Sequence, residues 1–385
     1  MNIDHRIHLC LAKMSDTGTE QRYIQEAFAS NWIAPLGPNV DAFERDLEDF
    51  FNSTLKIAAV SSCTAAIHLA LLLLGVKQDD EVICQSFSFC ASSNPVTYCG
   101  ATPIFVDSEE DTWNMSPELL EEAIKDRITK TSRKPKAIIV VDLYGMPAKW
   151  DEITAISKKY NIPVIEDAAN ALGSYYKGKP CGTFGDIATL SFNGNKIITT
   201  SGGGAIVCKD EANKKRAIFL ATQAKEPYLH YEHETIGFNY RMSNICAGIG
   251  RGQMTVLNDH IKHHKHVHNL YRELLATTDF TDLTDISVQG NPNGDFDSNF
   301  WLTTILFKQE LDTEAFCLGL DKSGIEARPL WKPMHLQPVY KNAPSFTNGF
   351  SEYLFKHGIC LPSGPWVTDE DVRYIVEKIK EAIGF

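Results

Sequence analysis

From about residue 55 to 210, short apolar and β-branched runs alternate with stretches of helical texture: KIAAV ending at Val60, PIFVD at Asp107, AIIVVD at Asp142 and PVIED at Asp167. The runs are apolar on both faces, as strands buried inside a parallel sheet must be when helices cover it on either side. Sites in open parallel sheets collect at the carboxyl ends of the strands. The positions just after the runs therefore matter most: the Ser-Ser-Cys-Thr of residues 61–64, and Asp107, Asp142 and Asp167. Beyond about residue 250 the texture changes to a long polar helix, roughly Thr255 to Leu275, then a Gly/Asn/Pro-rich surface loop at 289–299 and a strand over 300–307. The pattern predicts an α/β protein with a mostly parallel central sheet flanked by helices over residues 1–250, and a smaller C-terminal α+β domain over 251–385.

Composition narrows the function classes. The 385 residues are 43% hydrophobic and 22% charged, the balance of an ordinary folded protein. With 37 Lys+Arg against 49 Asp+Glu, the net charge of −12 repels nucleic acid and anionic membrane over most of the surface, so neither is expected as a partner. A local basic pocket for a small anion stays open. The ten cysteines contain no CxxC pair, which argues against a zinc ribbon and a disulfide framework and for a reducing compartment, the cytoplasm. The longest apolar run, Ala65 to Leu74, is too short to span a bilayer.

Two segments concentrate candidate chemistry. In 164–204, Asp167 ends an apolar strand and is followed by Ser191, by Lys196 and by the triple glycine 202–204. A lysine between Asn-Gly-Asn and Ile-Ile-Thr-Thr is costly to bury unless it is neutralised or covalently engaged, the alternative being a solvated loop lysine. In 61–75, hydroxyl residues open an apolar helix that ends at Gly75. Such an N-terminus reads either as a phosphate cradle or as an ordinary Ser/Thr cap. The fingerprints of P-loop and dinucleotide sites are absent.

These pieces resemble the DegT/DnrJ/EryC1/StrS sugar aminotransferases, pyridoxal 5'-phosphate (PLP) enzymes of fold type I. The resemblance is carried by residues 31–50, 60–71, 100–107, 165–174, 182–204 and 237–244, nearly the whole chain. Within the family, QAKEPYLHYEH (223–233) and RPLWKPMH (328–335) look most like the UDP-4-keto-sugar C4 aminotransferases of the bacillosamine branch. The resemblance implies that Lys196 forms the Schiff base with PLP and that Asp167 pairs with its pyridine nitrogen, keeping it protonated. Ser191 and the backbone around Cys63 and Thr64 would hold the phosphate, Phe89 would stack on the ring, and Asn193 would also bind the cofactor. Asn239 would reach the phosphate from the neighbouring subunit, implying a homodimer with shared sites. Two positions depart from the family: Asn170 stands where Gln is common, and Cys63 replaces glycine or alanine.

For substrate, the resemblance points to Ile33, Ala34 and Pro35, to Tyr240 and Arg241 from the partner subunit, and to Arg328 and His335, with Lys332 nearby. The implied reaction moves an amino group from L-glutamate, through pyridoxamine 5'-phosphate, to the C4 keto carbon of a nucleotide-linked 4-keto-6-deoxy sugar, UDP-2-acetamido-2,6-dideoxy-hexos-4-ulose. Alternatives are a GDP- or dTDP-linked 3- or 4-keto sugar, or a non-catalytic nucleotide-sugar-binding protein. The latter would have lost Lys196 or Asp167.

No metal is expected. His260, His264 and His268 share a helical face, but no acid or cysteine completes a ligand set in that stretch, so a solvated polar face is expected there. Asp107 and Asp142 are expected to be helix caps.

Overall fold

The computed structural model describes residues 6–276 and 286–383. Seven strands build the main sheet: β1 (Lys56–Val60), β2 (Glu81–Gln85), β3 (Thr102–Val106), β4 (Ala137–Val141), β5 (Val164–Asp167), β6 (Ile187–Ser191) and β7 (Gly204–Cys208). Their order is β1-β7-β6-β5-β4-β2-β3, and a late two-residue strand, Ser345–Phe346, closes the β3 edge. All pairings from β6 to that edge are parallel, whereas β7 runs antiparallel to both β1 and β6. The mostly parallel sheet with helices on both faces is thus present, and each expected strand ends within a residue of its expected position.

The helix Cys63–Leu73 shows why the local sequence folds as it does. Ser62 caps it, accepting the Ala65 N–H at 3.1 Å, and Gly75 stops it at φ +71°, a conformation that favours glycine. Its apolar residues are buried nearly all round, because it lies under the sheet with Val60, Ile206 and Cys208 on one side and neighbouring helices on the other. The opposite face of the sheet buries Ile83, Ile104 and Ile138 against Leu120, Ile124 and Trp150.

A second, antiparallel sheet comes next, ordered Ile286–Val288, Thr303–Phe307, Gly358–Leu361, Arg328–Pro329. The helices Leu257–Ala276 and Asp369–Ala382 cover it, with Val267, Ile305, Phe307, Ile359 and Ile375 in the core. The N-terminal segment joins this region: Ile7 N–H donates to the Gly324 carbonyl at 2.8 Å and Ser363 N–H to the Leu9 carbonyl at 2.9 Å.

Three expectations need correction. The strand expected over 300–307 starts only at Thr303. The Asn299 carboxamide donates to the Asn170 and Leu172 carbonyls and accepts the Trp301 N–H, bending the chain so that Phe300 takes φ +49°. The histidine face is not solvated: His260, His264 and His268 are 6%, 0% and 0% exposed. His260 Nδ1 lies 3.0 Å from the Ile197 carbonyl, the His268 ring stacks flat on Phe300, and desolvation pushes the His264 and His268 imidazoles down to about 3, so they pack as neutral rings. Asp107 does cap a helix, but a distant one: its carboxylate takes the N–H groups of Gly349 and Ser351 at the start of Phe350–His357.

Asp142 is not a helix cap. Its Oδ1 accepts from the Ala148 N–H and the Trp150 indole N–H, while Oδ2, fully buried, faces Glu166 and Cys181. The Glu166 carboxylate takes the backbone N–H groups of Gly182, Phe184 and Gly185, a set that holds it as the anion. Burial and the Glu166 charge push Asp142 well above the carboxylate range, so Asp142 keeps the shared proton. Glu166→Gln would aim an amide at those backbone donors and should destabilise the apo protein by about 1–3 kcal/mol. Asp142→Asn, which mimics the protonated acid, should stay within about 1 kcal/mol of wild type. Denaturant melts at neutral pH decide the order; the reverse ranking would put the proton on Glu166.

Candidate active site

A cleft of about 550 Å³ opens at the carboxyl ends of β4, β5 and β6. Asp167, the last residue of β5, stands in it at 3% exposure, its Oδ2 accepting from Ser92 Oγ at 2.7 Å and its Oδ1 from the Ala169 N–H at 3.1 Å. Burial raises the Asp167 carboxyl from its ordinary value, while those hydrogen bonds and the Lys196 charge pull it back. Lys196 enters from the loop after β6. The residue is part-exposed to the cleft, but its ε-amine is enclosed, donating to Asn170 Oδ1 at 2.6 Å and lying 3.9 Å from the centre of the Trp301 ring. Desolvation lowers that amine to about 8, against the opposing pull of Asp167. Buried Asn170, shorter than the family's common Gln, therefore still reaches the amine.

The same cleft is lined by the N-terminus of Cys63–Leu73, by Ser191 and by Gly202 and Gly203. The Thr64 and Ser191 hydroxyls make no hydrogen bond among the described residues. A Cβ on Gly204 would stand 2.4 Å from the Cys63 backbone nitrogen, so only glycine lets β7 pass this helix start. Free N–H groups at a helix start with two unengaged hydroxyls suit a dianionic phosphate. Phe89, 56% exposed, also lines the cleft and offers an aromatic face to it, its ring centroid 5.7 Å from that of Trp331. Carboxylate, amine, aromatic face and anion cradle together fit a phosphate-bearing pyridine aldehyde such as PLP.

Of the residues expected from sequence, Lys196, Asp167, Asn170, Ser191, Asn193, Cys63, Thr64, Phe89 and Arg328 line this cleft. Arg328 sits at its mouth, paired with Glu326 at 2.9 Å. The other substrate candidates lie elsewhere in the chain. Ile33 and Pro35 are exposed, and Ala34 is half-buried with its carbonyl on the Asn244 N–H. Asn239 is exposed, Tyr240 OH meets His68 Nδ1 at 3.3 Å, and Arg241 donates to Glu44 at 2.7 Å and to the Ala59 carbonyl. His335 is held by Ser86 at 2.6 Å and by Glu352.

Several lining residues escaped sequence reading: Ser92, Trp301, Trp331, Cys10 and Cys360. Ser92 lies in a hydroxyl-rich stretch just after β2, where the strand-end rule would have pointed. Trp301 reads as core because it opens an apolar run, and Cys10 comes from the N-terminal segment, which no local pattern ties to the site.

Comparison with known proteins supports the same cofactor. The model of the DegT/DnrJ/EryC1/StrS aminotransferase family matches residues 15–380. EpsN of Bacillus subtilis (strain 168), which bears the name of a pyridoxal phosphate-dependent aminotransferase, is 48% identical over 97% of this chain and 94% of its own. GDP-perosamine synthase of Escherichia coli O157:H7 is 38% identical over 95% and 96%. Among solved structures, the PLP form of Spr1654 from Streptococcus pneumoniae superposes with a TM-score of 0.87 at 28% identity, covering 98% of each chain.

Proposed function

Because the chain belongs to the DegT/DnrJ/EryC1/StrS family and is a PLP-dependent sugar aminotransferase acting on nucleotide sugars, we propose that it transfers the amino group of L-glutamate to C4 of UDP-2-acetamido-2,6-dideoxy-hexos-4-ulose. The observation that carries the site assignment is the convergence of Lys196 and Asp167 in one cleft with the anion cradle at Cys63, Thr64 and Ser191.

In this reading Asp167 would pair with the pyridine nitrogen of PLP, the helix start with Ser191 would hold the phosphate, and Phe89 would lie against the ring. When bound, PLP supplies an electron sink for the carbanion left at a substrate carbon. Lys196 moves the protons. Its ε-amine, neutral above about pH 8, takes the proton from the α-carbon of glutamate. That proton would pass to the former aldehyde carbon of the cofactor, and in the second half-reaction the same amine would move a proton from that carbon to C4 of the sugar. Asn170 and the Trp301 ring hold the amine between these tasks, and Arg328 at the mouth offers a cation to a diphosphate or carboxylate.

The partner copy enters the same proposal. Leu229, Tyr231 and Ile236 are 108%, 80% and 83% exposed, and exposed apolar residues on the segment leading to Asn239–Arg241 suit an interface between two copies. A homodimer would bring these three residues toward a neighbouring cleft. All ten cysteines are unpaired and no described helix is long and apolar enough to cross a membrane. Free thiols support the cytoplasmic reading.

A GDP-linked 4-keto sugar is the second reading, favoured by the GDP-perosamine synthase relative. Parallel incubations with L-glutamate and either UDP- or GDP-linked 4-keto-6-deoxy sugar, followed by 2-oxoglutarate release and product NMR, separate the two. We expect kcat/KM for the UDP substrate to exceed the GDP one by at least about tenfold, a discrimination of about 1.4 kcal/mol. A GDP preference reverses the assignment, and no turnover of any keto sugar removes it.

A further inference from the structure

Ser92 closes the short helical turn Cys90–Ser92 just after β2, and its hydroxyl reaches across 75 positions of sequence to donate to Asp167 Oδ2 at 2.7 Å. Both residues are only 3% exposed, so water does not replace this bond. On the other oxygen, Oδ1, the Ala169 N–H donates at 3.1 Å and the Cys63 thiol lies at 3.8 Å. Burial and the Asp167 charge push the Cys63 thiol well above its ordinary range, so it remains a protonated, weak donor. The carboxylate is thus held by one strong hydroxyl, one backbone N–H and one thiol, and of these the hydroxyl makes the shortest bond. Donors aimed at both oxygens favour the anion, since a protonated carboxyl would put its own hydrogen against one of them. Without the hydroxyl, desolvation of Asp167 would be opposed chiefly by Ala169 and by Lys196, and one carboxylate oxygen would be free to rotate.

We propose that Ser92 is a positioning residue for the transamination, its hydroxyl holding the Asp167 carboxylate in charge and in orientation for the ring nitrogen of PLP. This rests on the reading that Asp167 pairs with that nitrogen. The consequence is specific in pH. Losing a donor to the anion moves protonation of Asp167 to higher pH, so the low-pH failure of cofactor retention moves upward with it.

The test uses purified wild type, Ser92→Ala, Ser92→Thr and Asp167→Asn, each titrated with PLP from pH 5 to 9 and read by visible absorbance and by cofactor retained after gel filtration. Ser92→Ala should bind PLP about 10- to 100-fold more weakly at pH 7, the loss expected for a bond to a charged group. Its acid limb should rise by about one pH unit, whereas Ser92→Thr, which keeps the hydroxyl, should keep the wild-type limb. Melting curves of the apo proteins check folding, and Ser92→Cys, a weaker donor, should fall between Ala and wild type. Ser92→Ala with wild-type affinity and an unmoved limb overturns the proposal, as does an equal loss of affinity at every pH. Should Asp167→Asn itself bind PLP as wild type does, the ring-nitrogen pairing fails first and the role of Ser92 falls with it.

Discussion

Lys196→Ala should lower kcat/KM for the keto sugar by about a thousandfold or more, because one side chain supplies both the attachment point for PLP and the proton carrier. The fold should survive the change. Lys196 makes no ion pair among the described residues, and its only side-chain hydrogen bond is to Asn170. The folded amine sits at about 8, below the ~10.4 of an unfolded lysine. Between these values the unfolded chain binds more protons, so wild-type apo stability should rise with pH from about 8 to about 10, and in the alanine variant this rise should vanish. The same amine sets cofactor loading. Only the neutral form attacks an aldehyde, so the rate at which apo protein takes up PLP should climb about tenfold per pH unit up to about 8 and then level off. Stopped-flow absorbance reads this directly, and a rate independent of pH over that range would show that another group reacts.

Asp167→Asn should have the second largest effect. The substitution keeps size and shape but removes the charge that holds a proton on the ring nitrogen, and loss of such a fixed electrostatic partner costs about 10²–10³ in kcat. Burial already raises the Asp167 carboxyl, so the neutral amide is no burden to the apo fold. With the new amide oxygen toward the Ala169 N–H, the Ser92 hydroxyl can turn to accept from the amide NH2. Steady-state kinetics with saturating PLP should therefore show kcat falling far more than stability does. Full turnover in Asp167→Asn would mean that the ring is activated some other way.

Much of this was legible in the sequence for a physical reason. Strands buried in a parallel sheet are apolar on both faces, so Ala137–Val141 and Val164–Asp167 declare themselves, and the residues at their carboxyl ends fall at the open edge. Asp167, Cys63 and Thr64 were found this way, Lys196 stood out as a lysine costly to bury, and the family resemblance gave Lys196 its role and added Asn170 and Phe89. The illegible parts depend on distant contacts. Trp301 joins the cleft only because Asn299 bends the chain before its strand begins, and the histidines of Leu257–Ala276 are buried because Phe300 and the Ile197 carbonyl cover them. A helical period tells which histidines share a face but not whether that face meets water. Ser92 is a similar case: only the tertiary fold brings it to Asp167.

The most direct measurement is reduction of the PLP-loaded protein with borohydride, followed by proteolysis and mass spectrometry of the labelled peptide. The label should sit on Lys196 in one stoichiometric site per chain. A label on any other side chain, or none, would contradict the assignment of this cleft.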